Sequence, residues 1–132
     1  MFTETNLIES IYSAELGLKN YEIYRIDRQL GLLESGGGAL IAVHKSIKSK
    51  LLLSINDQFE CIFVHIKIKN INFIISTVYI APSSNNSLYQ KYILSLENIL
   101  NQYAYDRIIL TGDFNLPDVS WDPNSFKPSS NQ

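Results

Sequence analysis

Cysteine is nearly absent: Cys61 is the only one in 132 residues, so no disulfide can form within the chain. A lone thiol between Glu60 and Ile62, in an apolar run, reads as a small core residue. It fits an intracellular, reducing compartment, nuclear or cytoplasmic. Positive charge is also scarce, with 11 Lys and Arg against 13 Asp and Glu, a formal net charge of -2 and a pI of about 5.6. That balance argues against tight nonspecific binding of DNA by charge alone, but leaves open an enzyme that holds phosphates through a metal. No apolar run approaches the roughly 20 residues that span a bilayer, so no membrane partner is expected. The opening Met1-Phe2-Thr3-Glu4-Thr5-Asn6 lacks the basic and apolar blocks of a secretory leader. What is present is a globular composition, 45% hydrophobic and 18% charged, of a length that suits one domain.

Periodicity places the elements. Leu7, Ile8, Ile11, Tyr12 and Leu16 recur at helical spacing, which predicts an amphipathic helix over 6–16, capped by Thr5 or Asn6 and stopped by Gly17. Tyr21 to Ile26 alternates and reads as a strand. Gly36-Gly37-Gly38 enters a second strand, Ala39 to His44. The run lacks the Gly-Lys-Ser/Thr ending of a P-loop, and no helix follows it, so flexible backbone is the better reading. Lys45, Lys48 and Lys50 read as a small basic, solvated loop. In Cys61 to Ile68, Ile62, Val64, Ile66 and Ile68 face one way and Phe63, His65 and Lys67 the other. A turn at 70–72 and a nearly continuous apolar run, Phe73 to Ile80, complete a hairpin whose second strand lies inside a covered sheet. A helix is predicted from Ser87 to Tyr103 with Leu88, Tyr92, Leu96, Ile99, Leu100 and Tyr103 on one stripe. Arg107 to Thr111 reads as a short buried strand, and 122–132 as a loose polar tail. The order predicts a layered α/β fold with mixed or antiparallel sheets.

The buried strand ends in Gly112-Asp113-Phe114-Asn115. Gly112 permits a tight bend, Asp113 offers a carboxylate that can orient a metal-bound water, and Asn115 an amide that can donate to a phosphate oxygen. By itself the pattern is also that of an ordinary structural turn. Five stretches taken in order say more: Thr3-Glu4-Thr5-Asn6-Leu7; Tyr24-Arg25-Ile26-Asp27-Arg28; Gly36 to Val43; Val78-Tyr79-Ile80-Ala81-Pro82; and Gly112-Asp113-Phe114-Asn115-Leu116-Pro117, with Trp121 beyond. Together these resemble the endonuclease/exonuclease/phosphatase superfamily, and within it the apurinic-type endonuclease domain of insect jockey-like, non-LTR retrotransposons.

The resemblance implies part of a four-layer α/β sandwich over 1–121 and a DNA phosphodiester substrate. It implies Mg²⁺ (or Mn²⁺) as cofactor and a reverse transcriptase domain in the full-length element. Glu4 matches the metal-binding glutamate, and a hard oxygen ligand suits Mg²⁺. Tyr79 matches the tyrosine that hydrogen-bonds the scissile phosphate, Asp113 the carboxylate that orients the attacking water, and Asn115 the amide that supports phosphate and aspartate. Arg25 and Arg28 fall in a stretch near the family's DNA-binding face and meet phosphates, or else form a solvated salt-bridge cluster. His44 and His65 match no catalytic position. The family's first strand, with its asparagine, and its closing Ser-Asp-His part have no counterpart here. That implies a partial domain, weakly active or inactive alone. Two other readings stay open: a phosphoinositide or other phosphoester hydrolase of the same superfamily, and a noncatalytic structural or interaction remnant of a mobile element.

Overall fold

Alternating apolar residues build the central sheet and dictate what covers it. The computed structural model describes residues 1–27, 37–82, 84–116, 119–121 and 128–130. In chain order the elements are β1 (Phe2–Thr3), β2 (Tyr21–Ile26), β3 (Ala39–His44), β4 (Lys48–Asn56), β5 (Glu60–Ile68), β6 (Ile71–Tyr79), α1 (Asn86–Gln102), β7 (Arg107–Asp113), β8 (Val119–Trp121) and β9 (Pro128–Ser130), with a 3₁₀ turn at Ser13–Leu16. One sheet has the order β4-β5-β6-β7, a second β1-β3-β2, and β8 pairs with β9. Every pairing is antiparallel except β6 with β7. The fold is therefore α/β with mixed, mainly antiparallel sheets.

β5 separates two apolar clusters by its side-chain alternation. Ile62, Val64 and Ile66 share one cluster with Ile26, Ile41 and Val43 of the second sheet. Cys61 and Phe63 point the other way, into a cluster with Leu88, Tyr92 and Ile99 of α1. The described residues thus form three layers, helix on sheet on sheet. Phe63 is fully buried and stacks on Tyr92 with ring centroids 6.2 Å apart. Such a ring contributes about 1.5–3 kcal/mol by leaving water. β5 and β6 join through Lys69 and Asn70, with Lys69 at φ 56, and Ile68 pairs with Ile71. The turn expected at 70–72 is thus shifted toward the N-terminus, and Ile71 and Asn72 belong to β6. α1 begins where Asn85 accepts a hydrogen bond from the Leu88 N–H at 3.3 Å. Among the described residues no helix is long and apolar enough to cross a membrane.

Four further expectations are corrected. No α-helix forms over 6–16. Glu4 and Asn6 take positive φ, 52 and 51. The Thr5 and Asn6 N–H groups donate to the Gly38 and Gly37 carbonyls, and the Ile8 carbonyl accepts from Arg25. These bonds fix a non-helical backbone at the segment's start, and the Ile8 carbonyl is one that a helix would have used. Only Ser13–Leu16 winds, and Gly17, at φ 71, ends it as expected. The basic loop at Lys48 and Lys50 is instead the start of β4, an edge strand whose register slips between Leu51 and Leu53. Charge and a bulge are common devices on a sheet edge. β7 is not buried: Ile108, Ile109 and Leu110 are 36%, 42% and 41% exposed. It lies at the edge of its sheet, and among the described residues only β6 pairs with it. Part of the expected loose tail is strand, since Pro128–Ser130 pairs with Val119–Trp121. Arg28, Gly36 and Pro117 lie outside the described residues.

Cys61 is fully buried, with its Sγ 3.4 Å from Ser76 Oγ. Burial pushes its thiol up from 9.0 to about 12, against a smaller lowering by the Ser76 contact. The native state then holds a proton that the unfolded state gives up first, so stability falls as pH climbs from about 9 toward 12. At pH 8 the same shift cuts the thiolate population roughly a thousandfold. An aromatic disulfide reagent is expected to label Cys61 promptly in urea and hardly at all in native buffer. Equal rates in the two would contradict the burial.

Candidate active site

Four carboxylate- or phenol-bearing residues from distant parts of the sequence meet at one end of the two sheets. β6 and β7 run parallel, so Tyr79 and Asp113 stand side by side at their carboxyl ends. β5 runs the other way and begins there, which pairs Glu60 with Tyr79. β1 pairs Thr3 with Ala39 and leaves Glu4 as the next residue. The Tyr79 phenol registers all three neighbours. Burial raises its pKa above the ordinary 10.0 first, then the charge and hydrogen-bonding contact of Glu4, then the charges of Asp113 and Glu60. Carboxylates repel a phenolate, so Tyr79 keeps its proton and remains a neutral O–H donor at physiological pH.

The turn after β7 is tied on both sides. Gly112 sits at φ 135 against β6, where a Cβ would lie 2.0 Å from the Val78 carbonyl oxygen. The Asn115 N–H donates to Asp113 Oδ1 at 3.2 Å, and the Ile80 N–H donates to the Asp113 carbonyl at 3.0 Å. Asn115, at φ 43, donates from Nδ2 to the Ile80 carbonyl at 2.9 Å. One amide hydrogen of Asn115 thus anchors the turn, and its backbone supports Asp113. The Tyr89 hydroxyl, from the first turn of α1, lies 2.9 and 3.0 Å from the Phe114 and Asn115 carbonyl oxygens, which share its one hydrogen. Burial raises the Tyr89 pKa, and the Asp113 charge adds to it.

Glu60 and Tyr89 were not singled out from the sequence. Glu60 stands at the polar entry to an apolar strand, and Tyr89 lies between the stripe positions Leu88 and Tyr92; both signals are faint. Arg25 is placed away from solvent. Its Nε and Nη2 donate to the Asp27 carboxylate, the first at 2.6 Å, and Nη2 also reaches the Ile8 carbonyl. That ion pair is part-buried, with side chains 13% and 22% exposed. The histidines serve strands and turns: His44 Nδ1 lies 2.8 Å from Ser46 Oγ, and His65 Nε2 lies 3.2 Å from Asn72 Oδ1.

Among the described residues no group of three or more His, Cys, Asp or Glu side chains gathers as a metal cage. Mg²⁺ does not need one: it keeps several waters and takes one or two carboxylates. Glu4 is exposed, and it and Asp113 offer only hard oxygen donors. The donor set therefore fits a Mg²⁺-type ion better than zinc or copper.

A layered α/β protein with an acidic, phenol-bearing cluster at its strand ends is thus defined. Among solved structures the chain is similar to a humanized TDP2 of D. rerio carrying 14 mutations, with 17% identity and a TM-score of 0.45, over 74% of this chain and 41% of that one. The chain accordingly spans well under half of the structure it matches. No protein-family model and no curated protein matches it.

Proposed function

We propose that this chain carries the metal- and phosphate-binding centre of a Mg²⁺-dependent phosphodiesterase of the endonuclease/exonuclease/phosphatase type, acting on DNA. In its full setting it would be the endonuclease of a non-LTR retrotransposon, nicking target DNA for an associated reverse transcriptase. The observation that carries this reading is the meeting of Glu4, Tyr79 and Asp113 beside one another, from three of the stretches that resemble the family. Glu4 holds the ion, which supplies charge stabilisation to the phosphate when bound. Asp113 orients the attacking water, and the protonated Tyr79 donates to a phosphate oxygen. Asn115 offers its remaining amide hydrogen to the phosphate. His44 pairs with Tyr21 and His65 with Ile74, away from the strand end that carries Glu60 and Tyr79, so neither histidine is given a role in proton transfer.

The test joins binding to chemistry. Titration with Mn²⁺ is expected to show one site, weakened about tenfold or more in Glu4→Ala. Supercoiled plasmid is expected to be nicked slowly with Mg²⁺ and not with chelator. A folded chain that binds no divalent ion and leaves plasmid intact would sink the reading in favour of a noncatalytic role. Phosphate release from an inositol phosphate without plasmid nicking would move the substrate instead.

A further inference from the structure

Glu60 takes no part in the proposed chemistry, yet its carboxylate ties the two sheets together at the site. Its Oε2 accepts the Gly38 N–H at 2.6 Å. Gly38 and Gly37 in turn accept, through their carbonyls, the N–H groups of Thr5 at 3.3 Å and Asn6 at 3.0 Å. Those two residues follow Glu4 directly, and Glu4 and Asn6 hold positive φ, a conformation that ordinary residues keep only when their surroundings enforce it. The packing is close: a Cβ on Gly38, at φ +90, would lie 2.3 Å from Thr5 Oγ1. A single path therefore runs from β5 through the Gly37–Gly38 backbone to the turn that presents Glu4.

We propose that Glu60 is the positioning residue for Glu4. Its bond to the Gly38 N–H holds the turn in the strained backbone that aims the Glu4 carboxylate at the cluster. The role rests on the metal reading given above. A carboxylate on a backbone N–H is a strong, directional bond, and partners of this kind behind a metal ligand commonly govern affinity for the ion.

Mn²⁺ titration of the full chain and of two variants tests this. Glu60→Ala is expected to bind Mn²⁺ about tenfold more weakly. Glu60→Gln keeps an oxygen that can accept from Gly38 and is expected to stay within about threefold of wild type. A metal-free readout accompanies it. Amide exchange at Thr5 and Asn6 is expected to speed about tenfold in Glu60→Ala, and much less in Glu60→Gln. If wild type binds Mn²⁺ and Glu60→Ala binds it equally well, the positioning role falls alone. If Gln loses as much as Ala, the charge of Glu60 matters and not its bond, which also overturns the role. Absence of Mn²⁺ binding by wild type overturns the metal reading and this role with it.

Discussion

Gly112→Ala is expected to destabilise the protein by about 4 kcal/mol or more, among the larger effects that one substitution produces. The added methyl would lie 2.0 Å from the Val78 carbonyl oxygen, 2.7 Å from its nitrogen and 2.9 Å from its carbonyl carbon. These are backbone atoms of the paired strand, so no rotamer change relieves the clash; β6 and β7 must separate. The residue also sits at φ 135, where side-chain-bearing residues are rarely found. Gly17→Ala is the matched control. It too has positive φ, 71, but nothing lies within 4 Å of the added carbon, so only the left-handed penalty of about 1–2 kcal/mol applies. Urea unfolding of both variants measures the difference. Equal losses would mean that the approach of Gly112 to Val78 is not what demands glycine there.

β2 and β5, whose side chains alternate, and the apolar β3 were legible from sequence. β2 and β3 fall where expected, and β5 splits its faces as its pattern says, because each face meets a different covering layer. α1 was equally legible, since Leu88, Tyr92 and Ile99 all turn to one cluster. β4 was not, because Lys48-Ser49-Lys50 is polar and the bulge at Leu52 breaks the alternation that follows. Residues 6–16 misled for another reason. Their apolar spacing is helical, but the backbone around them bonds to Gly37, Gly38 and Arg25, and local pattern cannot register partners so distant in sequence. The exposure of β7 was hidden similarly, for Ile108-Ile109-Leu110 reads alike in an edge and a central strand. In the candidate site, Glu4 and Tyr79 were singled out only through the family resemblance, and Asp113 first as a carboxylate in its turn. Glu60 and Tyr89 act by bonding main-chain groups, at Gly38 and at Phe114 and Asn115, and such bonds leave no motif.

Asp113→Asn is expected to lower Mg²⁺-dependent nicking by about a hundredfold or more, the order of loss when the attacking water is no longer oriented. Asparagine matches aspartate in shape, and its Oδ1 still accepts the Asn115 N–H that Asp113 accepts at 3.2 Å. The turn should therefore keep its form, and unfolding free energy should stay within about 0.5–1 kcal/mol of wild type. That separation makes the substitution informative: lost activity in a stable variant points to the carboxylate, not to the fold. Tyr79→Phe complements it. The ring stays in a buried position, only the hydroxyl is lost, and a hydrogen bond to a charged phosphate is worth about tenfold to a hundredfold in rate. The pH profile supplies an internal check. In the metal-free chain burial and the surrounding carboxylates raise the Tyr79 pKa above 10.0. A bound Mg²⁺ would offset the Glu4 charge but leave the burial, the first cause, so the donor persists through neutral and mildly alkaline pH. Any fall in wild-type activity between pH 8 and about 9 then comes from another group, and Tyr79→Phe should fall in parallel. If that limb vanishes in Tyr79→Phe, the phenol titrates in the assay range, and its assignment as a neutral donor to the phosphate is wrong.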